Sequence, residues 1–396
     1  MKKKFALIMI FLSSAAAASF GQGELERYVG QYQVTGAPIM ITVTATGGTL
    51  AIAATGQGKA DIELVSGEHY AVKGTAITLT FQKGPAGEVT GMVIHQSPGL
   101  DVPAPKINSS SEAPSDKSPH RSSFVTANGI KMNYLDWGGA GDVVILLAGF
   151  GNDAHVFDEI APRLTDKFRV MGLTRRGFGE TERPASGYDT ATRVEDVRAF
   201  MDEREITRAH LVGHSLAGDE MTLFAALHPR RVLKMVYLDA AYDRTKNFSC
   251  ANDQPGGGGL PPSYLRVVGE ALNCPGWEKI VAPDMPPPDV VNVQVSTMRA
   301  AMRFRPDYKK IKAPSLAIYA DADLPQTPGQ LDGETRKKLD AWWKEKQVPI
   351  ARASIRQFRE EMKRGRVVEI KGATHYVFVG PHRDQVITLT RDFLAN

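Results

Sequence analysis

His210-Leu211-Val212-Gly213-His214-Ser215-Leu216-Ala217-Gly218 carries an apolar strand into a small-x-Ser-x-small turn and then into a helical stretch. A serine on a sharp strand-to-helix turn is held in a strained backbone conformation. Residues two before and two after it pass so close that they must be small, and Gly213 and Ala217 meet that demand. The turn presents the Ser215 hydroxyl above a sheet, at a helix N-terminus whose partial positive charge favours an oxyanion. It also points the Leu216 N–H to where that oxyanion would form. The adjacent His214 reads as a packing and hydrogen-bonding residue, and Asp219-Glu220 as helix N-terminal charge and local bracing.

Around this turn the chain alternates between two patterns. Val143–Leu147 is a continuous apolar run, as a strand buried on both faces requires. Similar runs recur at 169–173, 210–212, 232–238, 315–319 and 366–370, with helical patterns such as 194–203 between most of them. Strands alternating with helices predict a mostly parallel α/β sheet. Asn128-Gly129 predicts a hairpin turn ahead of these runs. About 242–312 breaks the rhythm with Gly256–Gly259, Pro261-Pro262 and Pro286–Pro288, and reads as a lid inserted over the C-terminal edge of the sheet.

On these residues the stretch 124–396 resembles the α/β-hydrolase superfamily, in the branch with Gly-His-Ser-x-Ala-Gly at the elbow. The resemblance implies a mostly parallel sheet with helices on both faces and the chain order Ser, acid, His. It implies His375, in Lys371-Gly372-Ala373-Thr374-His375, as the catalytic base, with His382 a surface residue. The acid it implies is Asp323, after the strand at 315–319, ahead of Asp321 and of Asp239 at the end of the preceding strand. Leu147-Ala148-Gly149-Phe150-Gly151 resembles the family's His-Gly-x-Gly loop, which makes the Phe150 N–H the second oxyanion donor beside Leu216. Ala148 stands where the family has a bracing histidine. Thr174–Thr181 resembles the turn after the next strand, with arginines that brace neighbouring loops.

The implied activity is a serine hydrolase that cleaves a carboxylic ester through an acyl-enzyme. Two other readings stay open: an amidase or aminopeptidase of the same fold, and a catalytically silent binding protein. No Cys or His pair has metal-ligand spacing on one element, and Gly256–Gly259 follows no strand, so neither a metal nor a cofactor is expected.

The remainder of the chain divides by composition. Residues 24–96 hold short alternating strand patterns separated by turns such as Gly47-Gly48 and predict a small antiparallel β domain, a barrel or curved sheet. Led by Leu25–Tyr32, it is similar to the lipocalin-like domains of some bacterial secreted hydrolases. Residues 97–122, rich in Ser and Pro, read as a linker, and 123–396 as the catalytic domain. Lys2–Lys4, the apolar Phe5–Leu12 and small residues after them read as a signal peptide over 1–21. That places the protein in the periplasm or outside the cell. Under those oxidising conditions the only two cysteines, Cys250 and Cys274, read as one disulfide, with two free thiols as the alternative. No segment has the length and apolarity of a retained membrane span. Three of the 48 basic residues are Lys2, Lys3 and Lys4, and without them the balance against 44 acidic residues falls to +1. Charge therefore argues against nucleic acid as a partner; the expected partner is a small-molecule ester or amide, and the oligomeric state is left open.

Overall fold

The structure is a computed structural model and describes residues 22–34, 40–54, 59–73, 77–97, 100–108, 118–246, 262–279, 288–324 and 333–396. The expected signal peptide and Cys250 lie outside these residues. Cys274 is buried, and among the described residues there is no free cysteine.

After a short helix α1 (Gln22–Leu25), eight antiparallel strands form a closed barrel: β1 (Gly30–Gln33), β2 (Met40–Thr46), β3 (Thr49–Ala54), β4 (Lys59–Ser66), β5 (His69–Val72), β6 (Thr78–Lys83), β7 (Val89–Ser97) and β8 (Leu100–Asn108). Alternate residues point inward, as the two-residue period of a strand demands. Ile41 and Val43, Leu79 and Phe81, and Met92 and Ile94 are all buried in one cluster with Tyr28, Tyr32 and Tyr70. Gly47 and Gly48 both take positive φ, 60° and 81°, the turn that matches strand twist in a two-residue hairpin.

The last barrel strand corrects the linker boundary. Leu100–Asn108 falls in the stretch expected as linker, yet it closes the barrel on β1 through Gln31↔Asn108 and Tyr32↔Lys106. Its prolines masked the strand signal. Pro103 and Pro105 alternate with the inward-facing Val102 and Ala104, and the β1 pairing covers only the residues beyond both prolines.

The second sheet has eight strands: β9 (Arg121–Ala127), β10 (Ile130–Gly138), β11 (Val143–Leu147), β12 (Arg169–Leu173), β13 (Ala209–His214), β14 (Val232–Leu238), β15 (Ser315–Tyr319) and β16 (Gly365–Glu369). Their spatial order is β16-β15-β14-β13-β11-β12-β10-β9. β9 and β10 form the expected hairpin over Asn128-Gly129, and β11 to β16 run parallel. The continuous apolar runs are explained by two covered faces. Ile145, Leu147, Leu211, Met235 and Tyr237 enter one core, and Val144, Leu146, Val212, Val236 and Leu238 enter the other.

Helices α2 (Thr190–Glu203) and α3 (Ala217–Leu227) follow β12 and β13. The Asp189 side chain caps α2 by accepting from the Thr192 N–H. Between β14 and β15 the expected lid contains α4 (Pro262–Leu272) and α5 (Pro288–Ala301). Val267, Val268 and Ala271 of the first pack on Val295 and Met298 of the second, and Phe150 packs against that cluster. The lid therefore rests on the loop that follows β11. Among the described residues no helix is long and apolar enough to cross a membrane.

Candidate active site

Ser215 stands between the end of β13 and α3 with φ 52°, the left-handed conformation that the tight turn imposes. Its N–H is held by Leu238 O at 3.2 Å. The small residues around it are required by space. A Cβ on Gly213 would lie 3.0 Å from the Ala217 Cβ and closer still to the Met221 sulfur. A Cβ on Gly218 would run into the Ala240 carbonyl oxygen. The elbow is thus wedged between its own helix and the chain leaving β14.

The Ser215 Oγ lies 2.8 Å from His375 Nε2, and His375 Nδ1 lies 2.6 Å from Asp239 Oδ2. Asp239 leaves β14 with φ 47° and is buried. Its other oxygen, Oδ1, accepts from the Ala320 N–H at 2.9 Å and from the Tyr242 hydroxyl at 2.5 Å. With one carboxylate oxygen taken by two donors, the second faces the imidazole and accepts its Nδ1 proton. The Nε2 lone pair is then turned to the serine hydroxyl.

This arrangement overturns Asp323 as the acid. The Asp323 side chain is 54 % exposed and pairs with Lys371 at 2.9 Å and Arg352 at 3.1 Å. Lys371, then Arg352, hold its carboxyl below the ordinary aspartate range. Asp321 is not at the imidazole either. Its carboxylate receives Lys371 Nζ and the Gly372 N–H, at 3.1 and 3.0 Å. Both aspartates therefore brace the loop that carries His375, while the carboxylate that reaches the ring comes from the preceding strand. The physical reason is register: β14 pairs with both β13 and β15, so its end lies beside the elbow, whereas the β15 loop turns toward the edge strand β16.

His214 is fully enclosed. Burial, and next the neighbouring His375 ring, hold it far below the ordinary histidine range, so it is neutral. Its Nε2–H donates to the His375 carbonyl at 3.1 Å, and its ring lies tilted against those of His375 and Tyr376, at 4.6 and 4.8 Å between centroids. It sets the backbone of the base and takes no other part in the relay.

The loop after β11 lies against the serine. A Cβ on Gly149 would come 3.1 Å from the Ser215 Cβ and 2.8 Å from His214 Nδ1. Ala148 leaves this loop without a side-chain brace of its own, and Arg175 supplies one. Its guanidinium donates to Ala148 O at 2.7 Å and Gly149 O at 3.0 Å, and its Nε donates to Glu220 at 2.5 Å. Glu220 also meets the buried Arg193 at 3.3 Å, and Asp219 pairs with Arg244 at 2.5 Å. The bracing role expected of the arginines and of Asp219-Glu220 thus acquires definite partners. Leu216 precedes the first residue of α3, and Phe150 sits one residue from Gly151 at φ 78°. Both oxyanion candidates are therefore on segments adjoining Ser215.

A cleft of about 510 Å³ lies between residues 185–191 and the end of α5, with Arg299, Arg303 and Phe304 on its wall; Ser215, Asp239 and His375 do not line it. One group of potential metal ligands exists among the described residues, His120, His155 and Asp158, outside the serine relay. Its members come from two distant stretches of chain, so ligand spacing could not reveal it.

Residues 142–268 match the model of the α/β-hydrolase fold family. The acetyltransferase component of the acetoin cleaving system of Cupriavidus necator is 33 % identical over 112 residues, 28 % of this chain and 30 % of that protein. The 2-(acetamidomethylene)succinate hydrolase of Mesorhizobium japonicum is 30 % identical over 103 residues, 26 % of this chain and 36 % of that protein. The chain thus spans about a third of the length of the curated relatives it matches. The crystal structure of E-2-(acetamidomethylene)succinate hydrolase aligns with 70 % of this chain and 100 % of its own, at 19 % identity and a TM-score of 0.49.

Proposed function

Since residues 142–268 match the model of the α/β-hydrolase fold family, we propose that the protein is a serine hydrolase that cleaves a carboxylic ester through an acyl-enzyme. Ser215 is the nucleophile, His375 the general base and acid, and Asp239 the acid that orients the imidazole. The observation that carries this reading is the continuous relay from Ser215 Oγ through His375 to Asp239, at 2.8 and 2.6 Å.

A serine hydroxyl is a weak nucleophile until a base removes its proton as it attacks. His375 Nε2 takes that proton while Oγ bonds to the substrate carbonyl carbon. The oxygen that gathers charge is met by the N–H groups of Leu216 and Phe150, the first reinforced by the N-terminus of α3. The imidazolium that forms is stabilised by Asp239, whose carboxylate is held in place by hydrogen bonds from Tyr242 and Ala320. His375 then returns the proton to the departing alkoxide. Water repeats the sequence on the acyl-enzyme and releases the acid.

The same reading includes export directed by residues 1–21 and, in the oxidising compartment, a Cys250–Cys274 disulfide within the lid.

Labelling of the purified protein by a fluorophosphonate, with Ser215→Ala as control, tests the nucleophile. A series of p-nitrophenyl esters and matching anilides tests the bond. Labelling and ester turnover lost in Ser215→Ala are expected. A folded wild type that neither labels nor turns over any ester would overturn the proposal in favour of a binding protein, and turnover of anilides alone would replace the ester by an amide.

A further inference from the structure

Ser118–His120 lead directly into β9, and they run beside the turn that follows the Gly149 loop. Three side chains of these segments, His120, His155 and Asp158, bring one ligand atom each to within 4.8 Å of one another. His155 Nδ1 and Asp158 Oδ2 are 2.9 Å apart, and the rings of His120 and His155 meet at 5.1 Å between centroids. The carboxylate is oriented from behind. Its Oδ1 accepts from the Ser118 hydroxyl at 3.2 Å, and Ser118 Oγ in turn accepts from the Trp137 indole N–H at 2.9 Å. Ser118 and Trp137 are both buried, whereas the side chains of His155 and Asp158 keep 35 % and 28 % exposure. The group is thus supported on one side and open on the other.

Two imidazoles and one carboxylate, with a fourth position for water, are a ligand set that suits zinc. Zinc bonds of about 2.1 Å in a tetrahedron place ligand atoms roughly 3.4 Å apart. Separations of up to 4.8 Å in the cluster must close by no more than about 1.4 Å, and the 2.9 Å pair must open by about 0.5 Å, movements within reach of side-chain rotation. A donor chain of the Trp137–Ser118–Asp158 kind is the support that ligating groups commonly have.

We propose that His120, His155 and Asp158 form a zinc site that fastens the segment entering the catalytic sheet to the turn after the Gly149 loop. Zinc there takes the place of the His155–Asp158 hydrogen bond, with each imidazole turning a nitrogen lone pair to the ion. The site rests on no part of the serine-hydrolase reading.

The test uses the full chain stripped of metal by a chelator and titrated with Zn²⁺ against a chromogenic competitor. Expected is one zinc per chain and a zinc-dependent rise in the unfolding midpoint. Both should be lost in His155→Gln and in Asp158→Asn, and Ser118→Ala should bind roughly 10–100-fold more weakly. Circular dichroism of the metal-free variants establishes that they fold. Absence of stoichiometric binding to the wild type, or unchanged affinity in both ligand variants, would overturn the assignment.

Discussion

Asp239→Asn keeps the shape of the side chain and removes its charge. The Tyr242 hydroxyl and the Ala320 N–H both donate to Oδ1, so the amide oxygen of an asparagine must occupy that position. Its NH₂ then faces His375 Nδ1, 2.6 Å away in the wild type. A donor opposite Nδ1 forces the ring proton onto Nε2, where it meets Ser215 Oγ and blocks the only lone pair that could accept the serine proton. A wrong tautomer of this kind costs on the order of 10⁴ in kcat, about 5.5 kcal/mol of transition-state stabilisation at 1.36 kcal/mol per tenfold. Asp323→Asn is the contrast. Its exposed ion pairs are worth about 0–1 kcal/mol, so turnover should change no more than fewfold. Steady-state hydrolysis of one p-nitrophenyl ester by both variants at neutral pH, with unfolding midpoints to establish folding, makes the comparison. A large loss in Asp323→Asn together with a less than tenfold loss in Asp239→Asn would refute the tautomer argument.

Other outcomes follow from the same contacts. Gly149→Ala places a methyl group 2.8 Å from the enclosed His214 ring and 3.1 Å from Ser215 Cβ, so the loop must shift. Loss of one oxyanion donor then lowers kcat by about 10²–10³, and kinetics with an activated ester would show no such loss if the loop does not supply a donor. Arg244→Met strips the buried Asp219 of its partner and should destabilise the fold by about 3–5 kcal/mol at pH 7.5. Burial holds the Asp219 carboxyl at about 6, above the ordinary 3.8, against the opposing pull of Arg244. The folded state therefore binds more protons than the unfolded chain between these values, and this group's contribution to stability falls as pH rises through that window. The Arg244→Met penalty should accordingly shrink at pH 5, and denaturant titrations at the two pH values that show the reverse order would contradict it.

The catalytic fold was legible because its signals are local. A strand buried on both faces must be apolar throughout, and Val143–Leu147 or Ser315–Tyr319 can be read that way from composition alone. The strained elbow likewise needs small neighbours in sequence, and Gly213 and Ala217 are there. An antiparallel β domain was legible over 24–96 from alternating stretches such as those of β2, β3, β6 and β7. Its eighth strand was hidden because Pro103 and Pro105 carry the signature of a linker, and only the inward positions of Val102 and Ala104 mark it as a strand.

The acid and the metal ligands belong to a different class of information. Asp239, Asp321 and Asp323 all follow strands that end at the same sheet edge, and nothing in their local sequence distinguishes which carboxylate meets the imidazole. That choice depends on the path of the His375 loop and on the donors Tyr242 and Ala320, which come together only across strands. Arg175 takes over the brace that Ala148 lacks for a similar reason: a guanidinium spans from one loop to another regardless of separation along the chain. His120 meets His155 and Asp158 only after the hairpin and the first parallel strand have packed. The sequence by itself determined the elements and the elbow that carries Ser215, since these follow from periodicity and steric demand between near neighbours. The partners of that serine's base, and the side-chain clusters around it, were decided by tertiary structure alone, because hydrogen bonds and charge pairs depend on distance in space and leave no period in the chain.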